Sequence, residues 1–98
     1  MFLTKYIENA ALLVRELKGR DGYTTLESIS KRYHVSYVFM KRVAGKMRKS
    51  GILDNKRRYG ARLIKEDVTL KDLYLVFYPE PITNLQTRYV ESMSTINI

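Results

Sequence analysis

Apolar positions near the start of the chain, Ile7, Ala10, Ala11, Val14 and Leu17, recur at steps of three and four, with Leu3, Tyr6 and Leu13 beside them. That spacing predicts an amphipathic helix from an N-cap at Thr4 to Lys18, closed by the turn residues Gly19-Arg20-Asp21-Gly22. Thr24-Thr25-Leu26-Glu27 sets a hydroxyl three residues ahead of a glutamate, the pattern of a capping box. It opens a short helix with Leu26, Ile29 and Ser30 inward, ending near Tyr33-His34. Ser36 caps the next helix, which runs to Ser50-Gly51 with Phe39/Met40, Val43 and Met47 inward and Ile52 beyond the stop. Tyr6, Tyr33, Tyr74 and Tyr89 fall on expected core faces.

The periodicity then changes. Residues 52–56 and 61–64 flank Arg57-Arg58-Tyr59-Gly60, which predicts two short strands about a basic turn. Thr69-Leu70-Lys71-Asp72 is a helix start, and Leu70, Leu73, Tyr74 and Phe77 are spaced to pack on the core. Pro79-Glu80-Pro81 is the clear break, dividing a domain over 1–78 from a segment over 79–98. In that segment Ile82, Leu85, Tyr89, Met93 and Ile96 form one face of a helix, although its Thr, Ser and Asn are weak helix formers. The stripe is either core of its own chain or a dimer seam.

Composition narrows the class. At 98 residues with 45% hydrophobic positions, the chain suits one modest core. The absence of cysteine removes disulfides, thiolate zinc sites and cysteine-ligated iron–sulfur clusters. No apolar run approaches a membrane span, the start lacks the order of a signal peptide, and no membrane surface is expected as partner, so the expected location is the cytoplasm, on the nucleoid. The net charge of +8 is concentrated: residues 31–65 carry twelve Lys and Arg against Asp54 alone, while the remainder is slightly acidic. Such a basic block is the footprint of phosphate-backbone binding.

Helix, helix-turn-helix, basic hairpin, helix: the order describes a mainly α winged helix-turn-helix with a small β-hairpin and a C-terminal amphipathic helix. Val35-Ser36, Phe39-Met40, Val43 and Met47-Arg48-Lys49-Ser50-Gly51-Ile52 resemble the recognition-helix pattern of the Rrf-type bacterial regulators, the IscR-like and NsrR-like repressors. Gly60-Ala61-Arg62-Leu63 is similar to the end of that family's wing, and Val68-Thr69-Leu70-Lys71-Asp72-Leu73 to its next helix start. The resemblance covers about residues 1–78 and implies a homodimeric, sequence-specific DNA binder joined through a helix after the wing domain. Ile82 to Ile96 stand where that helix belongs. The departures are a wing shortened to Arg-Arg-Tyr-Gly, Ala61 where an aromatic is usual, and no three-cysteine loop. Iron–sulfur or nitric-oxide sensing is therefore not carried over, and no cofactor is expected.

On helix 36–50 the outward positions expected to read base edges are Ser36, Tyr37, Val38, Lys41, Arg42 and Lys46, with Lys41 and Arg42 suited to guanine O6 and N7. Across wing 53–64, Arg57 and Arg58 suit a minor groove, and Lys56 and Arg62 suit phosphates around Tyr59. Thr24 and Thr25 suit a phosphate contact or plain capping. Gly45 inside a helix either permits close backbone approach or is incidental, and the single histidine, His34, cannot build a metal site alone. A single histidine, no cysteine and no phosphate-binding glycine loop argue against an enzyme.

The leading expectation is a dimeric repressor of a palindromic double-stranded DNA site. The alternatives are an excisionase-like architectural factor of a mobile element and a winged helix used for protein contact.

Overall fold

The computed structural model describes residues 5–78 and 92–98. The first apolar stripe folds as helix α1, Lys5–Leu17, burying Ile7, Ala10, Leu13, Val14 and Leu17. After the Gly19–Gly22 turn, helix α2, Leu26–Tyr33, starts at Thr25, whose hydroxyl accepts a hydrogen bond from the Ser28 amide at 3.3 Å. The cap is therefore Thr25 paired with Ser28, and Glu27 turns outward to meet Lys31 at 3.2 Å. Thr24, one residue earlier, is extended and joined by two main-chain hydrogen bonds to Ala61.

His34 closes α2 in the left-handed region, at φ 55°, and the Val35 amide bonds back to Ser30 O at 3.0 Å. This reversal launches helix α3, Tyr37–Lys49, capped by the Ser36 hydroxyl and burying Met40, Val43, Ala44 and Met47. Gly51, at φ 82°, stops α3 and delivers Ile52 into the core. Strands β1, Leu53–Lys56, and β2, Gly60–Leu63, pair antiparallel with Leu53 opposite Leu63 and Lys56 opposite Gly60. The Thr24–Ala61 bridge gives this hairpin a one-residue third strand.

Helix α4, Leu70–Phe77, carries a complete capping box: the Thr69 hydroxyl accepts from the Asp72 amide and the Asp72 carboxylate accepts from the Thr69 amide. α1 lies across α3 and α4, and α3 also packs on β1. Between them sit Leu13, Met40, Val43, Met47, Leu53 and Leu73, all essentially without solvent contact.

Two tyrosines expected in the core lie outside it. Tyr6 is exposed while stacking between Phe39 and Phe77, and Tyr33 is exposed with its hydroxyl donating to Glu16. Their rings cover the core edge and leave the polar end in water.

In the C-terminal segment, Ile82, Leu85 and Tyr89 lie outside the described residues. The helical stripe does not continue to Ile96: helix ends at Met93, a turn follows at 94–95 with Ile96 N bonded to Met93 O, and Asn97 then bridges to Thr69 while Ile98 N bonds Val68 O at 3.0 Å. Met93 is fully buried in the core of its own chain, and Ile96 is exposed.

Candidate nucleic-acid interface

α3 shows solvent two adjacent strips because its buried residues occupy only one side of the cylinder. Tyr37, Lys41, Gly45 and Arg48, at helical steps, form the strip that faces the wing. Val38, Arg42 and Lys46 form the strip beside it, and Val38 is 58% exposed, high for a valine. Tyr37 and Lys41 form an i,i+4 pair, with the ammonium 4.8 Å from the ring centroid. Ser36 commits its hydroxyl to the Phe39 amide at 3.3 Å, so its part is to start the helix.

The wing is positioned by two devices. On one edge, Gly60 takes φ 106° and lies directly against the main chain of Thr24 and Thr25. On the outer face, the Tyr23 hydroxyl donates to the Asp54 carboxylate, and the Tyr23 ring carries Arg62 at 5.4 Å and Lys56 at 5.9 Å. Hydrogen bonding to Asp54 pushes the Tyr23 pKa up, since a phenolate there would face a carboxylate. Asp54, the one acid of the basic block, is thus engaged by a neutral hydroxyl.

Between the wing and α3 lies a cleft of about 550 Å³. Tyr37, Lys41, Ala44, Gly45 and Arg48 line it from α3, Asn55, Lys56, Arg57, Arg58 and Gly60 from the wing, and Thr25, Leu26 and Glu27 from the start of α2. Of the twelve cations between 31 and 65, only Lys31, Arg32 and Lys65 form ion pairs among the described residues, with Glu27, Glu16 and Asp72. The other nine, all on α3 or the wing, have no carboxylate in salt-bridge range among those residues. Among the described residues, their mutual repulsion is not offset by an ion pair.

Two residues of the cleft go against local backbone preference. Gly45 keeps a helical backbone, and a Cβ added there would meet nothing within 4 Å, so no packing requires glycine. It costs the helix roughly 1 kcal/mol relative to alanine. Arg58, at the wing tip, stands at φ 76°, where a side chain costs roughly 1–2 kcal/mol and glycine costs nothing.

The sequence-predicted residues divide accordingly. Tyr37, Lys41, Lys56, Arg57, Arg58 and Thr25 meet at the cleft. Val38, Arg42 and Lys46 lie on the neighbouring strip of α3, Tyr59 stands 60% exposed near the wing tip with Lys56 5.0 Å from its ring, and Arg62 lies over Tyr23. Thr24 is held in the bridge to Ala61 and does not line the cleft. Sequence reading passed over Arg48, Asn55 and Tyr23. The step of seven from Lys41 places Arg48 on the same strip and was available as a signal; Asn55 needs the strand register, and nothing local marks Tyr23.

Among the described residues no group of three His, Cys, Asp or Glu side chains could hold a metal ion, and no helix is long and apolar enough to cross a membrane. Among the described residues, four helices with one antiparallel hairpin in this order make a winged helix-turn-helix. No family model and no curated protein sequence matches the chain. Solved structures do: CymR, the global cysteine regulator of B. subtilis, superposes with TM-score 0.79 at 17% identity, covering 99% of this chain and 92% of that one. Oxidized CymR of Staphylococcus aureus gives 0.76 at 16%, over 99% and 92%, and T. potens IscR gives 0.75 at 17%, over 99% and 82%. At such identities the shared property is the fold.

Proposed function

We propose that this chain is a sequence-specific double-stranded DNA-binding transcriptional regulator of the Rrf type, acting in the cytoplasm as a dimeric repressor. α3 enters the major groove, where Lys41, Arg42 and Lys46 meet base edges and Val38 offers apolar surface to a thymine methyl. The wing sets Arg57 and Arg58 on the minor groove or its phosphates. The observation that carries the reading is the set of nine cations on the recognition helix and the wing that have no ion pair among the described residues. Similarity of fold to CymR and IscR supports it. Of the expected dimer seam, Ile96 is exposed and Met93 serves its own chain's core, while Ile82, Leu85 and Tyr89 lie outside the described residues.

Selection of bound duplexes from a random pool, read at two salt concentrations, tests the proposal. A two-fold-symmetric motif with half-sites about one helical turn apart is the expected result. Salt-sensitive binding without a motif points instead to an architectural factor, and no binding at either salt to a winged helix that contacts protein.

A further inference from the structure

Among the described residues, Glu27 is the one carboxylate that lines the cleft, against Lys41, Arg48, Lys56, Arg57 and Arg58. Asp54, on β1, is engaged by the Tyr23 hydroxyl and does not line it. Glu27 and Tyr37 also line a second hollow, with Ser30, Lys31, His34 and Val35 around the turn between α2 and α3. The carboxylate therefore stands where the first turn of α2 meets the first residue of α3, the end of a recognition helix from which base edges are read. The fold asks little of it. Thr25 and the Ser28 amide cap α2 without it, and the Thr24 main chain, which would have drawn it into a capping box, is committed to Ala61. Its ion pair with Lys31, at 3.2 Å, joins two side chains that are each more than half exposed, and such pairs contribute little.

A carboxylate beside DNA opposes binding wherever it faces phosphate, so its place in this interface calls for a donor on the duplex. In the major groove the donors are the exocyclic amino groups of cytosine and adenine. Adenine sets its N7 acceptor beside the amino group, where it repels the second carboxylate oxygen, whereas cytosine presents the donor alone. We propose that Glu27 is a specificity-determining residue that accepts a hydrogen bond from a cytosine N4 amino group in each half-site. The proposal rests on the DNA-binding reading and adds to the contacts of α3 a base contact made from α2. On any other duplex the same carboxylate meets phosphate, or the acceptors of a guanine, with no donor to offset the repulsion. One side chain thus supports the correct site and penalises the rest. Lys31 holds it in the free chain, and an exposed pair at i and i+4 parts at little cost.

The test measures wild type, Glu27→Ala and Glu27→Gln by fluorescence anisotropy on the duplex that the wild type selects, on its single-base variants and on a random duplex. Glu27→Ala is expected to bind the selected duplex roughly fivefold or more weakly, the loss of one base contact. It is expected to bind the random duplex several-fold more tightly, so the ratio of the two falls from both sides. Its preference for cytosine at one base pair of each half-site is lost. Glu27→Gln is expected to move that preference to adenine, whose N6 and N7 match the glutamine amide. A glutamate with only a structural part would lower both affinities together with the thermal midpoint and leave base preference as it was, and that result overturns the proposal. Equal gains on the selected and random duplexes overturn it too, since Glu27 then only repels phosphate. So does a selected site at which the variants change no cytosine preference. In each of these cases wild-type binding still stands. A wild type that selects no motif overturns the proposal together with the reading beneath it.

Discussion

Gly60 lies so close to Thr24 that a Cβ on it would overlap the Thr24 carbonyl and stand 2.6 Å from the Thr25 Cα. The contact joins the root of the wing to the residues that open α2, and the paired main-chain bonds of Thr24 and Ala61 seal it. At φ 106° the position also excludes side chains on torsional grounds. Gly60→Ala is expected to destabilise the fold by about 2–4 kcal/mol, since the clash is with main chain that cannot rotate away. Urea unfolding followed by circular dichroism measures it; an unchanged midpoint would mean that the wing is not seated on Thr24.

Tyr23 organises the opposite face of the wing. Its hydroxyl holds Asp54 and its ring supports Arg62 and Lys56, so Tyr23→Phe releases the carboxylate to compete for those cations. The expected outcome is a few-fold loss of DNA affinity with the salt slope unchanged, because no cation is removed. Replacing Asp54 by Asn in the same background is expected to restore the affinity, which fluorescence anisotropy titrations would show.

The helices were legible because their signals are local. The stripes of α1 and α3, Ser36 as N-cap and Gly51 as stop are each written within a few residues, and the Thr69–Asp72 capping box follows from its own spacing. What the chain did not reveal was long-range. Glu27 matched a capping box at Thr24, yet pairing of Thr24 with Ala61 moves the cap to Thr25. The periodicity ending at Ile96 described a helix, yet bonds from Leu70 and Ile98 draw the last residues into an extended path beside α4. In the interface the cations were visible, but the cleft that gathers Arg48 and Asn55 with them depends on how the hairpin folds over α3.

Acid is expected to loosen two separate ties. Tyr33 donates to Glu16, and with Arg32 and Arg20 this outweighs burial and lowers the Glu16 pKa. Partial burial would raise the Asp72 pKa, but the Thr69 amide, Lys65 and the Thr69 hydroxyl together reverse the sign and lower it. A carboxyl whose folded pKa is depressed adds stability that is present above its unfolded value and lost as pH falls through the folded one. The melting temperature is therefore expected to fall below about pH 4. Asp72→Asn, costing about 1 kcal/mol near neutrality as a weakened cap, is expected to converge with wild type in acid. Parallel melting curves at every pH would contradict this assignment.

Met93 tests whether the chain after the proline break is structural. It has no solvent exposure, and its neighbours Ile96 and Ile98 bond to Leu70 and Val68. Met93→Ala is expected to cost about 2–5 kcal/mol, the range for emptying a buried site of this size. A loss well under 1 kcal/mol would show the tail to be dispensable to the core.

Arg42 and Arg57 separate reading from holding. Arg42 lies on the strip of α3 beside the cleft, with no ion pair among the described residues, and its guanidinium suits the paired acceptors of guanine. Arg57 lines the cleft, where charge matters more than pattern. Arg42→Ala is expected to lose about 1–3 kcal/mol on the selected site and to relax preference at one base pair in each half-site. Arg57→Ala is expected to weaken selected and random duplexes alike and to lower the salt slope by about one unit. Binding to a panel of single-base variants at two salt concentrations distinguishes them. If both proteins lose affinity uniformly across the panel, α3 is a backbone clamp like the wing, and sequence is read elsewhere.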